Sequence, residues 1–542
     1  MTTRSASRLR LAPLVGLALL LGCFAFATLR VWQHGRSGQP ADGRIVVRFA
    51  HWQLESGLRD ALDALAREYE SLHPGVRIEQ VPIPKRTYAQ WTKTQLVGGT
   101  ATDIIQIDRN LDDETLSRFY RPVTADVALP NPYNHDTPLA GIPWRDTFID
   151  GMSGNFSYRP NLLDYYGVPL SMFTVRLYYN RDLWRQLLGD TPPPATYDGF
   201  IALCERIRKV AADTGRNVIP IAGSYDNGPI LINKMVSGQT QRLSRRIDQT
   251  RTLMPAGAEI GLAWLRGAWN ADTPAFADAL AIARETSLTM QAGYEQLRHE
   301  DATFYFAQNR ALMIATGSWD LPVYRTICPF TIGVFDVPLP ARDHPHYGRN
   351  ILGPPSEAGN STGMAFGITR QSPHPDEALD FLRFLTSFSG NAAFCRASGW
   401  LPSVIDIQVP ESVAPFLPVV DGYVAGFDFS LGTLGASTTL VMSNRMTLLV
   451  QPSGSVAAFQ AALRSALTPA IREDLRRVSR NTLRNLTRQD VLLAGQLALG
   501  QRDPAGPDAA RKISELEEAQ NQQESLRAWI DHELDRNPSN DP

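Results

Sequence analysis

Cysteine is scarce in this chain: Cys23, Cys204, Cys328 and Cys395 are the only four in 542 residues. None forms a C-x-x-C pair and no histidine clusters with them, which argues against a zinc site. Cys23 lies in an apolar amino-terminal run, so three cysteines remain for the folded part and can make at most one bridge. Charge of one sign is also lacking. Lys+Arg 53 against Asp+Glu 55 leaves a net charge of −2, without the basic excess of a nucleic-acid binder. Catalytic signatures are missing too: no G-x-S-x-G, H-E-x-x-H or G-x-x-x-x-G-K-(S/T) occurs. The histidines are scattered, and the close pair His344-x-His346 sits in a Pro/Asp-rich loop, where two imidazoles alone do not make a metal site. These absences point away from an enzyme and predict neither metal nor cofactor.

What is present is a long globular sequence, 43% hydrophobic and 20% charged, too long for one core and therefore built of at least two lobes. Arg4, Arg8 and Arg10 precede an uncharged stretch from Leu11 to Leu29, closed by Arg30. That length suffices to cross a hydrocarbon core, and the arginines place the amino terminus in the cytoplasm. Two readings stand. The run is an uncleaved signal anchor, or Leu20-Leu21-Gly22-Cys23 acts as a lipobox and Cys23 carries a lipid. Both put everything after about Trp32 outside the cytoplasm, tethered by the polar segment 35–43.

From Ile45 to Ala50 the chain reads as a strand, followed by an amphipathic helix over 55–72 with Leu58, Leu62, Leu65, Tyr69 and Leu72 on one face. Further strands are predicted over 76–81 and 103–107, with a helix over 88–97 between them. Regular alternation of this kind implies a parallel sheet with right-handed crossovers. Later, Thr174 to Asn180 and Ala311 to Ala315 read as strands, the latter bounded by Thr316-Gly317-Ser318. A helix is predicted over 374–388.

Several motifs in order resemble the family 1 extracellular solute-binding proteins, which feed ABC importers. They begin with Tyr166-Gly167-Val168-Pro169, then Leu177-Tyr178-Tyr179-Asn180 leading into Asp182-Leu183-Trp184, and Pro194-Ala195-Thr196-Tyr197-Asp198-Gly199. Next come Leu312-Met313 with Gly317-Ser318-Trp319, then Gly363 to Ile368, and finally Gly399-Trp400-Leu401-Pro402. The match spans roughly 44–405. Departures are Asn309 where the family has glycine and Ala101-Thr102-Asp103 where it has Pro-Asp. The resemblance implies an α/β, two-lobed, periplasmic-binding-protein-like fold of type II with hinged lobes. The expected division is 1–42 for anchor and tether, 43–170 with 350–400 for lobe 1, 171–349 with 401–452 for lobe 2, and 453–542 for a helical extension.

In such a fold, loops at the carboxyl ends of strands face one crevice. A sugar suits aromatic faces combined with carboxylates and amides. The candidate ligand-binding residues are Trp52, Gln53, Asp108, Arg109, Tyr225, Asp226, Asn227, Trp319, Asp320 and Trp400. The expected function is extracytoplasmic binding of a carbohydrate or similar polar solute and its delivery to ABC permease subunits. The alternative is a membrane-anchored sensor or scaffold that signals through a partner. In the extension, helices are predicted over 456–472, 475–486, 491–499 and 509–534. They are expected to pack on a lobe or to dock a membrane partner.

Overall fold

The computed structural model describes residues 43–54, 56–108, 111–160, 162–358, 362–502 and 507–536, together with 22 and 26. The predicted anchor therefore lies outside the described residues apart from Gly22 and Phe26. Among the described residues no helix is long and apolar enough to cross a membrane.

Among the described residues, twelve strands follow in chain order. They are β1 (Ile45–His51), β2 (Val76–Pro82), β3 (Ile104–Gln106), β4 (Tyr158–Arg159), β5 (Asp164–Tyr165) and β6 (Val168–Met172). Then come β7 (Val175–Asn180), β8 (Ile219–Ala222), β9 (Ala311–Gly317), β10 (Ile332–Phe335), β11 (Thr362–Ile368) and β12 (Leu401–Pro402). Lobe 1 holds a six-stranded sheet in the order β12-β6-β11-β3-β1-β2 and lobe 2 a four-stranded sheet in the order β10-β7-β9-β8. The predicted parallel sheet is only partly right. β2, β1 and β3 are parallel, but β11 runs antiparallel to β3 and to β6. In lobe 2, β8 and β9 are parallel whereas β7 opposes β9. Strands that return to a sheet after a long excursion choose their direction by tertiary docking, which local patterning does not encode.

The helix Ser56–Leu72 buries Leu58, Leu62, Leu65 and Tyr69 against lobe 1, in a core shared with Phe49, Ile104, Phe366 and Phe381. The predicted helix over 374–388 is present as Pro375–Leu385, and a second helix, Phe388–Ser398, begins where it was expected to end. The Ser387 hydroxyl starts the second by accepting the Gly390 N–H at 3.0 Å.

Lobe 2 packs around Phe200, Leu231, Phe276 and Leu312. The carboxyl-terminal segment contributes Phe459, Leu463, Leu467, Ile471, Leu475 and Ile530 to the same core. The three helices predicted between 456 and 499 are one continuous helix, Val456–Arg502, and Pro507–Asp535 folds back along it. The pair is antiparallel, with the Ser479 hydroxyl donating to Asp531 at 2.6 Å and the Gln520 amide to Asp490 at 2.5 Å.

The chain crosses between the lobes after β6, before β11 and after β12. Arg176, only 1% exposed, gathers these crossings. Its guanidinium donates to both Glu357 oxygens at 2.9 and 3.1 Å, and to the carbonyls of Pro415 at 3.0 Å and Leu417 at 2.7 Å. The Lys234 ammonium also donates to Glu357. Burial alone would raise the Glu357 carboxyl. The Arg176 hydrogen bonds and the Lys234 charge outweigh it and hold the group at about 2. A buried ion group of this kind adds little net stability but is expensive to break, so it fixes geometry at the hinge.

Candidate functional site

β8 and β9 run abreast, and their carboxyl ends carry the lobe 2 candidates. After β8 the chain turns through Gly223-Ser224-Tyr225-Asp226 into the helix Asn227–Val236. The Asn227 amide donates to the carbonyls of Ala222 at 2.9 Å and Ala315 at 3.2 Å, and accepts the Ser224 hydroxyl at 2.5 Å. Asn227 is thus a buried clasp joining the two strand ends, with its amide already committed, and does not present itself to a ligand. Tyr225 and Asp226 are exposed beside it.

β9 ends in a short turn, Ser318–Asp320, before the helix Leu321–Ile327. Asp320 stands at the start of that helix without capping it by its side chain. Its carboxylate instead accepts the Thr316 hydroxyl at 2.5 Å and lies 3.1 Å from His299 Nε2. His299 opens the helix His299–Ala307 and was not among the sequence candidates, since a solitary histidine gives no local signal. Burial pulls its pKa down, but the hydrogen bond and charge of Asp320, with Asp226 nearby, raise it overall. Lobe 2 thus offers an exposed phenol ring, a free-standing carboxylate and an imidazole–carboxylate pair.

Trp319 is half-buried and sits edge-on to Phe173, with ring centroids 5.5 Å apart. Phe173 lies in the crossing between β6 and β7, and in turn meets Trp400 edge-on at 5.2 Å. A Cβ on Gly317 would come within 2.0 Å of the Trp319 ring, so the bare backbone there is what lets the indole fold back over its own strand. Trp400 is only 2% exposed and packs in the lobe 1 core near Phe394. It is a core residue, not a ligand wall, because its place beside the crossing leaves it no open face.

On lobe 1, Trp52 is half-buried and meets Tyr88 edge-on at 4.8 Å. The Tyr88 hydroxyl lies 2.9 Å from the Gln106 carbonyl and 3.2 Å from that of Ala50, tying together the ends of β1 and β3. Trp91, half-buried 6.1 Å from Tyr88, extends this aromatic group and was missed because it lies within a helix rather than at a strand end. Gln53 is buried at 8% exposure, which withdraws it from the surface. Asp108 follows β3, half-buried, and its charge adds to the burial that pushes the Tyr120 phenol up. Arg109 lies outside the described residues.

The candidates therefore form a lobe 1 group around Trp52 and Asp108, a crossing group around Trp319, and a lobe 2 group around Tyr225, Asp226 and Asp320. A separate depression of about 440 Å³ lies at the opposite ends of the lobe 2 strands, lined by Asp182, Gln186, Arg216, Asn309 and Phe330, and contains none of them. Cys204, Cys328 and Cys395 are all unpaired, so the bridge left open by the sequence is not formed among them.

Residues 64–414 match the family described as bacterial extracellular solute-binding protein. The chain is 21% identical over 390 residues to a multiple sugar-binding protein of Streptococcus mutans, covering 70% of this chain and 78% of that relative. Among solved structures, the GacH receptor of Streptomyces glaucescens superposes with a TM-score of 0.54 at 15% identity, over 78% of this chain and 98% of that one. The raffinose complex of the solute-binding protein RafE gives 0.53 at 16% identity, over 79% and 100%. Apo RafE from Streptococcus pneumoniae gives 0.52 at 15% identity, over 79% and 98%. These structural likenesses establish the two-lobed fold.

Proposed function

This chain belongs to the bacterial extracellular solute-binding proteins, and from that membership we propose that it captures a carbohydrate outside the cytoplasm and delivers it to the permease of an ABC importer. The observation that carries the choice of ligand is the cluster at the ends of β8 and β9, where exposed Tyr225 stands beside Asp226 and the His299–Asp320 pair. A ring face suits the C–H surface of a pyranose, while carboxylates and an imidazole take its hydroxyls. Trp319 at the crossing and Trp52 on lobe 1 supply further aromatic surface. A solute that touches both lobes favours the closed arrangement of the hinge, and that arrangement is the form a permease can distinguish. The amino-terminal run 11–29, or a lipid on Cys23, holds the protein at the membrane.

Thermal shift of the full chain against raffinose, maltodextrins and other oligosaccharides tests this. At about 100 times its dissociation constant a true ligand adds roughly 2.7 kcal/mol of stability. Trp319→Ala and Tyr225→Ala should remove most of that gain without unfolding the apo protein. A panel in which no saccharide shifts the melt, while an anionic or amino-acid solute does, would overturn the carbohydrate assignment. A second reading, a sensor that reports its ligand to a partner, draws on the helical hairpin 456–535, which lies beyond the segment matched to the family.

A further inference from the structure

The hairpin is rooted in one lobe and lands on the other. Its base belongs to lobe 2, through Phe459, Leu463, Leu467, Ile471, Leu475 and Ile530 in the core and the Arg266–Glu533 ion pair at 3.1 Å. From Leu475 to Arg488 the first helix advances roughly 20 Å at ~1.5 Å per residue. There Arg488 donates to Glu114 of lobe 1 at 3.1 Å. Glu114 lies in the first turn of Asp113–Phe119, the helix that follows Asp108 on the cleft side of β3. On the returning helix, the Glu515 carboxylate is close enough to Tyr158 of β4 to add to the burial that pushes its phenol up to about 12. Arg159 ties these two landing points together, donating to the Leu111 carbonyl at 3.2 Å and lying 3.9 Å from Asp113.

Burial at the same level of the hairpin agrees. Gln489 is 1% exposed and Leu516 2% exposed. The hairpin is thus tightly packed at the height where Arg488 meets Glu114.

We infer that the hairpin is a strap across the two lobes, restraining their opening and thereby setting how readily the cleft exchanges its ligand. The inference rests on the binding function proposed above and adds a regulator to it. The strap is shallow by design of its contacts. The Gln489 amide finds no hydrogen-bond partner among the described residues, which weakens the contact, and the Arg488–Glu114 pair is exposed, where water screens its attraction. It can therefore let go, biasing the hinge without locking it.

The test places one spin label in each lobe of the full-length protein, by Lys93→Cys and Asp213→Cys. Cys23 and Cys328 are replaced by Ser, while Cys204 and Cys395 are buried and stay. Lobe-to-lobe distances are then measured in ligand-free samples of four versions: parent, Glu114→Arg, Arg488→Glu, and the double reversal. Each single reversal is expected to lengthen the mean distance by more than about 2 Å, a domain-scale movement, and the double reversal to restore it. For any saccharide that binds, release should quicken about three- to tenfold in the single variants and recover in the double. Four superimposable distance distributions would overturn the strap. If the reversals move the lobes but no saccharide binds any version, the strap stands and the carbohydrate assignment falls. Restoration by the double reversal separates a lost contact from a misfolded hairpin.

Discussion

His299 brings pH into the site. Its pKa is raised, chiefly because the Asp320 hydrogen bond outweighs burial, so the charged imidazole is favoured in the folded state. The stabilisation is fully present below the unfolded value near 6.5 and is lost as pH rises through the higher folded value. The melting temperature of the apo protein should therefore fall, relative to a His299→Gln variant, on going from pH 6 to pH 8.5. Parallel pH profiles for the two proteins would show that the pair contributes nothing. At this scale the sequence was readable in part. Asp320 and Tyr225 stood out because strand ends in α/β sheets place polar residues together. His299, brought in by a helix that starts elsewhere, did not. Asn227 and Trp400 were misjudged for one reason: the residue type was right for a ligand, but its partners were already supplied by Ala222, Ala315 and Phe173.

At the scale of elements, the long helix Val456–Arg502 shows where pattern reading stops. The sequence predicts separate helices over 456–472 and 475–486, with Glu473 and Asp474 in the gap between them. In the structure Asp474 is 2% exposed, and its carboxylate accepts the N–H groups of Ser437 at 3.0 Å and Thr438 at 2.7 Å. It caps the helix Ala436–Arg445 from outside, where an N-terminal dipole welcomes a negative charge. Gly435 is bare because a Cβ would fall 2.4 Å from the Asp474 carboxyl carbon. Asp474→Ala should cost about 1–3 kcal/mol, seen as a lower denaturation midpoint with an unchanged slope. A midpoint within error of the parent would remove the cap from the account. Strands β1, β2, β3, β7 and β9 and the amphipathic helix Ser56–Leu72 are legible to within a residue or two, because burial dictates their patterning. Strand direction and the partner of a polar residue are long-range facts and were not.

At the scale of the whole molecule, the boundary suggested by the family match is not the boundary of the fold. The match ends at residue 414, yet lobe 2 draws six large apolar side chains from beyond residue 455 into its core. Burying six such groups is worth on the order of 10 kcal/mol, comparable with the net stability of a domain. A chain ending at Ser453 should aggregate or elute as a broad, molten species in size-exclusion chromatography, with loss of near-ultraviolet circular dichroism. A sharp monomeric peak with the parent melting temperature would mean the hairpin is an accessory. A sequence boundary drawn at 453 rests on composition, and composition changes where the helices become Arg- and Gln-rich rather than where packing ends.

Three unpaired thiols have a consequence for a protein that leaves the reducing cytoplasm. Cys204 and Cys395 are buried, and desolvation pushes their thiols up to about 12 and about 11, which leaves almost no thiolate for oxidants to attack. The protection exists only once the chain has folded. Between export and collapse these sulfurs are open to mispairing, so prompt folding of each lobe is itself what takes Cys204 and Cys395 out of reach.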